Sequence, residues 1–256
     1  GRFWEAGSLN RIPMPEKIGS SNLTNYAIEG YLIARGRFLS RETSRLFYTP
    51  DYRFNYHKSI DDVLINCNDE VKTLYGIKEL VFKEAPNNKC FQDEDINDNI
   101  SQISDWLSYI IGCLFARWDI RMILDSSLIP KLPDPFAPLP VCPPGMLQND
   151  QGLPASLQDV PDDYPLRISW NGILVDDEGQ SEDIVSRVRE AIEVIWEEKA
   201  GDIEQEACEI LGVDSLRDYF RKPANFFAEH LKRYSKSRRQ APIYWPLSTA
   251  SGSYTL

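Results

Sequence analysis

Ile103-Ser104-Asp105-Trp106-Leu107-Ser108-Tyr109-Ile110-Ile111-Gly112-Cys113-Leu114-Phe115-Ala116-Arg117-Trp118 is the stretch on which the fold turns. Its apolar residues Ile103, Trp106, Leu107, Ile110, Ile111, Leu114, Phe115 and Trp118 recur at the spacing of one helical face. Burying each such side chain contributes roughly 1.5–3 kcal/mol, so this helix is expected at the centre of the core. The longest apolar run, 107–116, is interrupted by Ser108 and followed at once by Arg117. A bilayer span takes about 20 apolar residues, so no membrane partner is expected.

Upstream, Leu23, Ala27, Ile28, Tyr31 and Leu32 mark a short helix over 23–38. Ser59 is placed to cap a second helix carrying Ile60, Val63, Leu64, Cys67, Val71, Leu74 and Tyr75 on one face, with Gly76 at the left-handed position that ends it. Residues 86–100 are polar and Asn/Asp-rich, as in a loop. Downstream the composition breaks: ten of the seventeen prolines fall between Pro130 and Pro165. Each removes a backbone donor and fixes φ, which excludes regular helix and predicts an extended connector.

Beyond the connector, Leu166 to Val175 alternates around Asn171-Gly172, a pattern that predicts a tight hairpin. An amphipathic helix follows over 182–199, with Ile184, Val185, Val188, Ala191, Ile192, Ile195 and Trp196 on its apolar stripe. Helices are then expected over 202–211, stopped by Gly212, over 215–221, capped by Ser215, and over 224–236, burying Phe226, Phe227 and Leu231. Ile243–Leu247 and Tyr254–Leu256 bracket a hydroxyl-rich turn, and Pro246 places the first of these strands at an edge. The second strand stops after three residues, so the chain reads as a piece of something longer. The fold class is mainly α with small β-hairpins (α+β). Helical domains are joined by a proline-rich connector, as a helical region (1–125), the connector (126–165) and a hairpin-plus-helix region (166–256).

The 256 residues carry a net charge of −11, but the charge is segregated. Between Asp150 and Glu209, 17 acidic side chains face 4 basic ones, which leaves +2 for the remainder. Lys232-Arg233-Tyr234-Ser235-Lys236-Ser237-Arg238-Arg239 carries five positive charges and no negative one. Such a run is either a solvated helix end or a phosphate contact, because local potential rather than total charge decides contact with nucleic acid. The five cysteines are far apart and never form Cys-x-x-Cys, which fits a reduced, cytoplasmic compartment. With only His57 and His230 beside them, the ligand count argues against a zinc site. No glycine-rich phosphate loop and no Gly-x-Ser-x-Gly is present, so the residues themselves point to no cofactor cradle or catalytic centre. His230 sits near an apolar face and reads as a packed or hydrogen-bonded histidine.

Residues 235–254, Ser-Lys-Ser-Arg-Arg-Gln-Ala-Pro-Ile-Tyr-Trp-Pro-Leu-Ser-Thr-Ala-Ser-Gly-Ser-Tyr, resemble the C-terminal region of very large adenine-specific DNA methyltransferases. These include fused type II (IIG-like) restriction–modification enzymes and the related methyltransferase of BREX phage-defence systems. Arg41-Glu42-Thr43-Ser44 resembles their Arg-Glu-Thr-Ser-Trp-(Asp)-Phe stretch, and 64–79 resembles the helix that follows it. Leu107 to Arg117 resembles their Ser-Tyr-(apolar)-(apolar)-Gly-Cys-(apolar)-Phe-Gly-Arg helix. The likeness covers most of 39–256. Arg45 and Leu46 stand where the family has Trp and an acid, and Ala116 replaces a common glycine.

The resemblance implies that the parent methylates adenine N6 of double-stranded DNA with S-adenosylmethionine, after flipping the base. In the family the S-adenosylmethionine site and the Asn-Pro-Pro-Tyr loop lie on a domain N-terminal to this region. The chain is therefore expected to hold no catalytic residue, cofactor or metal. Its expected role is to support the N-terminal methyltransferase domain and share in DNA binding. The candidate DNA contacts are Lys232, Arg233, Lys236, Arg238 and Arg239 to phosphate, and Tyr244, Trp245, Ser251 and Ser253 to a groove or the backbone. For Trp245 the alternative is a buried hairpin position. The alternative function is an acidic interaction or regulatory module, built on 150–209, without direct DNA contact.

Overall fold

A computed structural model of the chain describes residues 13–50, 60–77, 99–131, 134, 137–235, 246–249 and 252–255, the last two stretches and Arg37 as backbone only. The described residues are mainly helical, with a small β component, as the apolar periodicities predict. They fall into two compact units, 1–37 with 53–93, and 38–52 with 94–256.

The first unit contains helix α1 (Leu23–Leu39, which continues past the unit's limit) and helix α2 (Ile60–Tyr75). Ile33 packs with Ile60 and Val63, and Tyr26, Ala34 and Cys67 close the cluster. The buried stripe of α2 is narrower than its sequence suggests, since Leu64 and Tyr75 are exposed. Asp61 and Asp62 in its first turn and Lys72 in its last oppose the helix dipole.

In the second unit, helix α3 (Asn99–Leu114) is the axis of the core. Every residue from Leu107 to Leu114 is buried, as it must be for a helix covered on all sides. A short helix α4 (Arg121–Leu124) follows, then α5 (Ile184–Trp196), α6 (Ala200–Leu211), α7 (Leu216–Arg221) and α8 (Phe226–Tyr234). Helix α3 packs on α5, α6 and α8, and α7 packs on α5, α6 and α8. Asp183 caps α5 by accepting the Ser186 N–H, and Ser215 caps α7 by accepting the Asp218 N–H.

Three helices end by the same device. The pairs Gly76 N–H to Thr73 and Ile77 N–H to Lys72, Ala116 N–H to Cys113 and Arg117 N–H to Gly112, and Gly212 N–H to Glu209 and Val213 N–H to Cys208 are all two-bond Schellman closures. The left-handed residue is Gly76 (φ 65°) or Gly212 (φ 65°) in two of them, and Ala116 (φ 59°) in the third. Alanine at that position carries a Cβ against the following carbonyl.

Three sequence expectations are corrected. The Asn171-Gly172 pair forms a turn, with Gly172 N–H donating to Ser169, but 166–170 makes no strand. Instead strand β1 (Leu174–Val175) pairs in parallel with β2 (Pro246–Thr249), with Leu174 opposite Leu247. Strand β2 in turn pairs antiparallel with β3 (Gly252–Thr255). Pro246 therefore opens a central strand and not an edge one. It sits at the strand's first residue, where the missing N–H interrupts no ladder, and β1 pairs beyond it. The hydroxyl-rich turn is also shorter than its composition suggests, because Ser248 and Ser253 already face each other in register.

The proline-rich connector is extended, with two 3-10 turns, Ser126–Leu128 and Leu157–Asp159, among its described residues, but it does not divide the chain into units. It lies on the core. Gly145 N–H donates to Phe47, Asp119 N–H donates to Gly145, and Met146 bridges to Trp118. Helix α3 is packed against helices from beyond the prolines, and those contacts override the composition break. No described helix is long and apolar enough to cross a membrane.

Relief of the alanine strain is measurable. Left-handed alanine costs about 1–2 kcal/mol and the unfolded-state entropy of glycine offsets about 0.4–1 kcal/mol of it. Ala116→Gly is expected to raise the unfolding midpoint by roughly 1–4 °C. A thermal melt with no rise, or a fall, contradicts the strain assigned to this turn.

Candidate functional site

The second unit brings distant parts of the sequence to one buried carboxylate. Ser44 N–H donates to the Arg41 carbonyl, and Leu46 N–H donates to Ser44 Oγ. This turn directs Glu42 inward, at 7% exposure, and leaves Arg41 and Arg45 outside. Glu42 accepts Ser108 Oγ from α3 at 2.5 Å, Trp118 Nε1 at 3.0 Å and Arg233 of α8 at 3.0 Å. The second arm of Arg233 reaches Ser104 Oγ at 3.2 Å and the Asp105 carboxylate at 2.7 Å.

Burial opposes the charge on Glu42, but the Ser108 and Tyr234 hydroxyls and the Arg233 and Arg117 guanidinium groups outweigh it and hold the carboxyl below its usual range. Asp105 is shifted the other way, because burial exceeds the pull of Arg233.

Ser108 Oγ also lies 3.1 Å from His230 Nδ1. The hydroxyl has one proton, and the short bond to an ionised Glu42 takes it. Ser108 therefore accepts from His230, which places the histidine proton on Nδ1. Serine, histidine and acid in contact invite comparison with a nucleophilic triad, but the proton polarity is reversed. The hydroxyl donates to the acid, the histidine donates to the hydroxyl, and Ser108 is only 2% exposed. The arrangement fixes the packing of α8 on α3 and does not activate an oxygen. Burial pushes His230 down to about 4, with the neighbouring Arg233 and Arg117 adding to the effect and Glu42 opposing it.

Trp118 is fully buried and locked. Its ring lies against Gly112, where an added Cβ would fall 2.2 Å from Cδ1, so only glycine fits. Phe47 packs edge-on against it at 4.6 Å. Arg117 stands with its Cζ 4.7 Å from the Trp118 ring and 4.7 Å from that of Tyr234.

A second polar cluster anchors the acidic region. Asp183, at 0% exposure, is paired by Arg217, which also holds Asp176, and Arg221 bonds the other oxygen of Asp176. Arg189 forks Glu204, and Arg167 pairs with Glu182. Four acids of 150–209, Asp176, Glu182, Asp183 and Glu204, are therefore neutralised internally. The thiol of Cys113 is buried and pushed well up by burial, which leaves it inert.

The sequence-predicted DNA contacts fare unequally. Lys232 is exposed on α8. Arg233 is not an open cation, since both arms of its guanidinium are engaged by Glu42, Ser104 and Asp105. Lys236, Arg238, Arg239, Tyr244, Trp245 and Ser251 lie outside the described residues, and Ser253 is placed on β3 by its backbone. Sequence reasoning missed Glu42 and Ser108 as partners. The one available signal was that both fall in stretches resembling the methyltransferase family.

In comparisons with known proteins, the sequence matches no family model and no curated protein.

The buried histidine has a pH signature. A group whose folded pKa is depressed keeps its stabilisation above the unfolded pKa and loses it as pH falls toward the folded one. For His230 the window runs from about 6.5 down to about 4. Roughly 3 kcal/mol of stability is lost across it. His230→Asn, which keeps an N–H donor near Ser108, is expected to flatten that part of the urea-unfolding profile. Parallel profiles for the two proteins contradict the assignment.

Proposed function

We propose that this chain is the non-catalytic, post-catalytic region of an adenine-specific DNA methyltransferase of the restriction–modification or phage-defence kind, supporting the catalytic domain and contributing to DNA binding. The observation that carries the reading is a convergence. Two stretches that resemble the family, 41–44 and 107–117, supply Glu42 and Ser108, which meet in one short buried hydrogen bond, and Gly112 of the second clears the space for the Trp118 ring that bonds the same carboxylate. Ala116 adds to it, because the family glycine that it replaces corresponds to a left-handed position. Resemblance at positions that share a structural task is better support than resemblance of composition.

In this reading S-adenosylmethionine and the base-flipping loop belong to the N-terminal part of the parent, which acts in the cytoplasm. With Arg233 engaged inside the protein, Lys232, Lys236, Arg238 and Arg239 are the cations of the run that contact phosphate and position the duplex without reading its sequence. The acidic-module alternative draws less support, since Asp176, Asp183, Glu182 and Glu204 already have arginine partners.

Binding of the chain to a labelled duplex, followed by anisotropy over a salt series, tests the reading. The expected result is sequence-independent binding whose log–log salt slope falls by about 0.9 for each phosphate contact removed by Lys236→Ala, Arg238→Ala and Arg239→Ala. No methyl transfer from labelled S-adenosylmethionine to the duplex is expected from the chain alone. Absence of duplex binding, or adenine methylation by the chain itself, overturns the proposal.

A further inference from the structure

We infer that Arg117 is a pre-positioned phosphate fork that grips a backbone phosphodiester of nucleic acid beside the cationic run. The inference rests on the proposed DNA-binding role and assigns a contact that the charge run does not contain.

Three observations lead to it. First, Arg117 is partly exposed and donates no side-chain hydrogen bond or ion pair among the described residues. Its attachments are the cation–π contacts to Trp118 and Tyr234. These use its charge and leave its N–H donors unengaged. Second, Glu42, whose charge Arg117 helps to stabilise, is saturated by Ser108, Trp118 and Arg233 and makes no bond to Arg117. Third, the mount is rigid. The Arg117 N–H closes the end of α3 on Gly112, Trp118 is fixed by Glu42 and Gly112, and the Tyr234 ring is tilted against His230 with centroids 5.0 Å apart.

An arginine held in place before its ligand arrives loses little side-chain entropy on binding, and its planar donors match the spacing of two oxyanion oxygens. Phosphate is preferred to a single carboxylate because of the surroundings. Tyr234, on which Arg117 rests, stands in sequence between Lys236 and the exposed Lys232, with Arg238 and Arg239 following, and a stretch of that charge suits a repeating polyanion. This also separates Arg117 from Arg233, which is one residue from Lys232 in sequence yet engaged internally.

The test uses the chain with a labelled duplex, two variants and a thermal melt of each. Arg117→Gln is expected to weaken binding about five- to tenfold at every duplex sequence and to reduce the log–log salt slope by about 0.9. Arg117→Lys retains the charge but not the fork, so it is expected to restore the slope and only part of the affinity. A role confined to packing shifts the melt in both variants and leaves the slope untouched. If wild-type chain binds duplex and a folded Arg117→Gln or Arg117→Lys protein binds with unchanged affinity and slope, this inference is overturned and the DNA-binding role stands. If inorganic pyrophosphate displaces duplex from wild-type but not from Arg117→Gln at equal ionic strength, the oxyanion fork is supported. If wild-type binds no duplex, the functional reading fails and the fork assignment fails with it.

Discussion

One ionised carboxylate buried among three donors is the constraint on which the second unit depends. Glu42 reaches α3 through Ser108, the turn after α3 through Trp118, and α8 through Arg233, so a loop from the first fifth of the chain and a helix from its last share one atom group. Removing such a charge from water costs several kcal/mol, and only complete satisfaction of its lone pairs offsets that cost. Satisfaction here demands one geometry. The loop must turn at Ser44, Gly112 must lack a side chain, and α8 must present Arg233 and His230 on the same face. Polar requirements of this kind set the register of helices that apolar contacts alone leave free to slide.

The arrangement also explains why the charge run at the end of α8 is not uniform. Arg233 turns into the protein to neutralise Glu42 and Asp105, while Lys232 faces out. Arg117, from outside the run, has a guanidinium that makes no hydrogen bond or ion pair among the described residues. In the proposed DNA-binding reading Arg117 adds a cation from a second place in the sequence, and it is held by the Trp118 and Tyr234 rings.

Much of the helical architecture was legible in the sequence, and the reason is local. Apolar spacing located α3, α5 and α8, Ser215 announced its cap, and Gly76 and Gly212 marked left-handed ends, because each signal lies within a turn or two of the feature it specifies. The parallel pairing of Leu174 with Leu247 joins residues far apart in sequence, and a two-residue strand carries no period to read. The prolines correctly excluded helix from the connector, but they could not reveal that Gly145 and Met146 tie it to Phe47, Asp119 and Trp118. An isolated glutamate has no pattern, so Glu42 looked like any surface acid. Arg233, flanked by cations, looked like its neighbours. Both depend on partners more than 100 residues away in sequence for one bond or another.

The most direct measure of this account is a double-mutant cycle between Glu42 and Arg233, using Glu42→Gln, Arg233→Met and the pair, with stability from urea unfolding. The account predicts a coupling of about 2–3 kcal/mol, the double variant being far less damaged than the two single losses together imply. Losses that add to within about 0.5 kcal/mol contradict the claim that this pair ties the loop to α8.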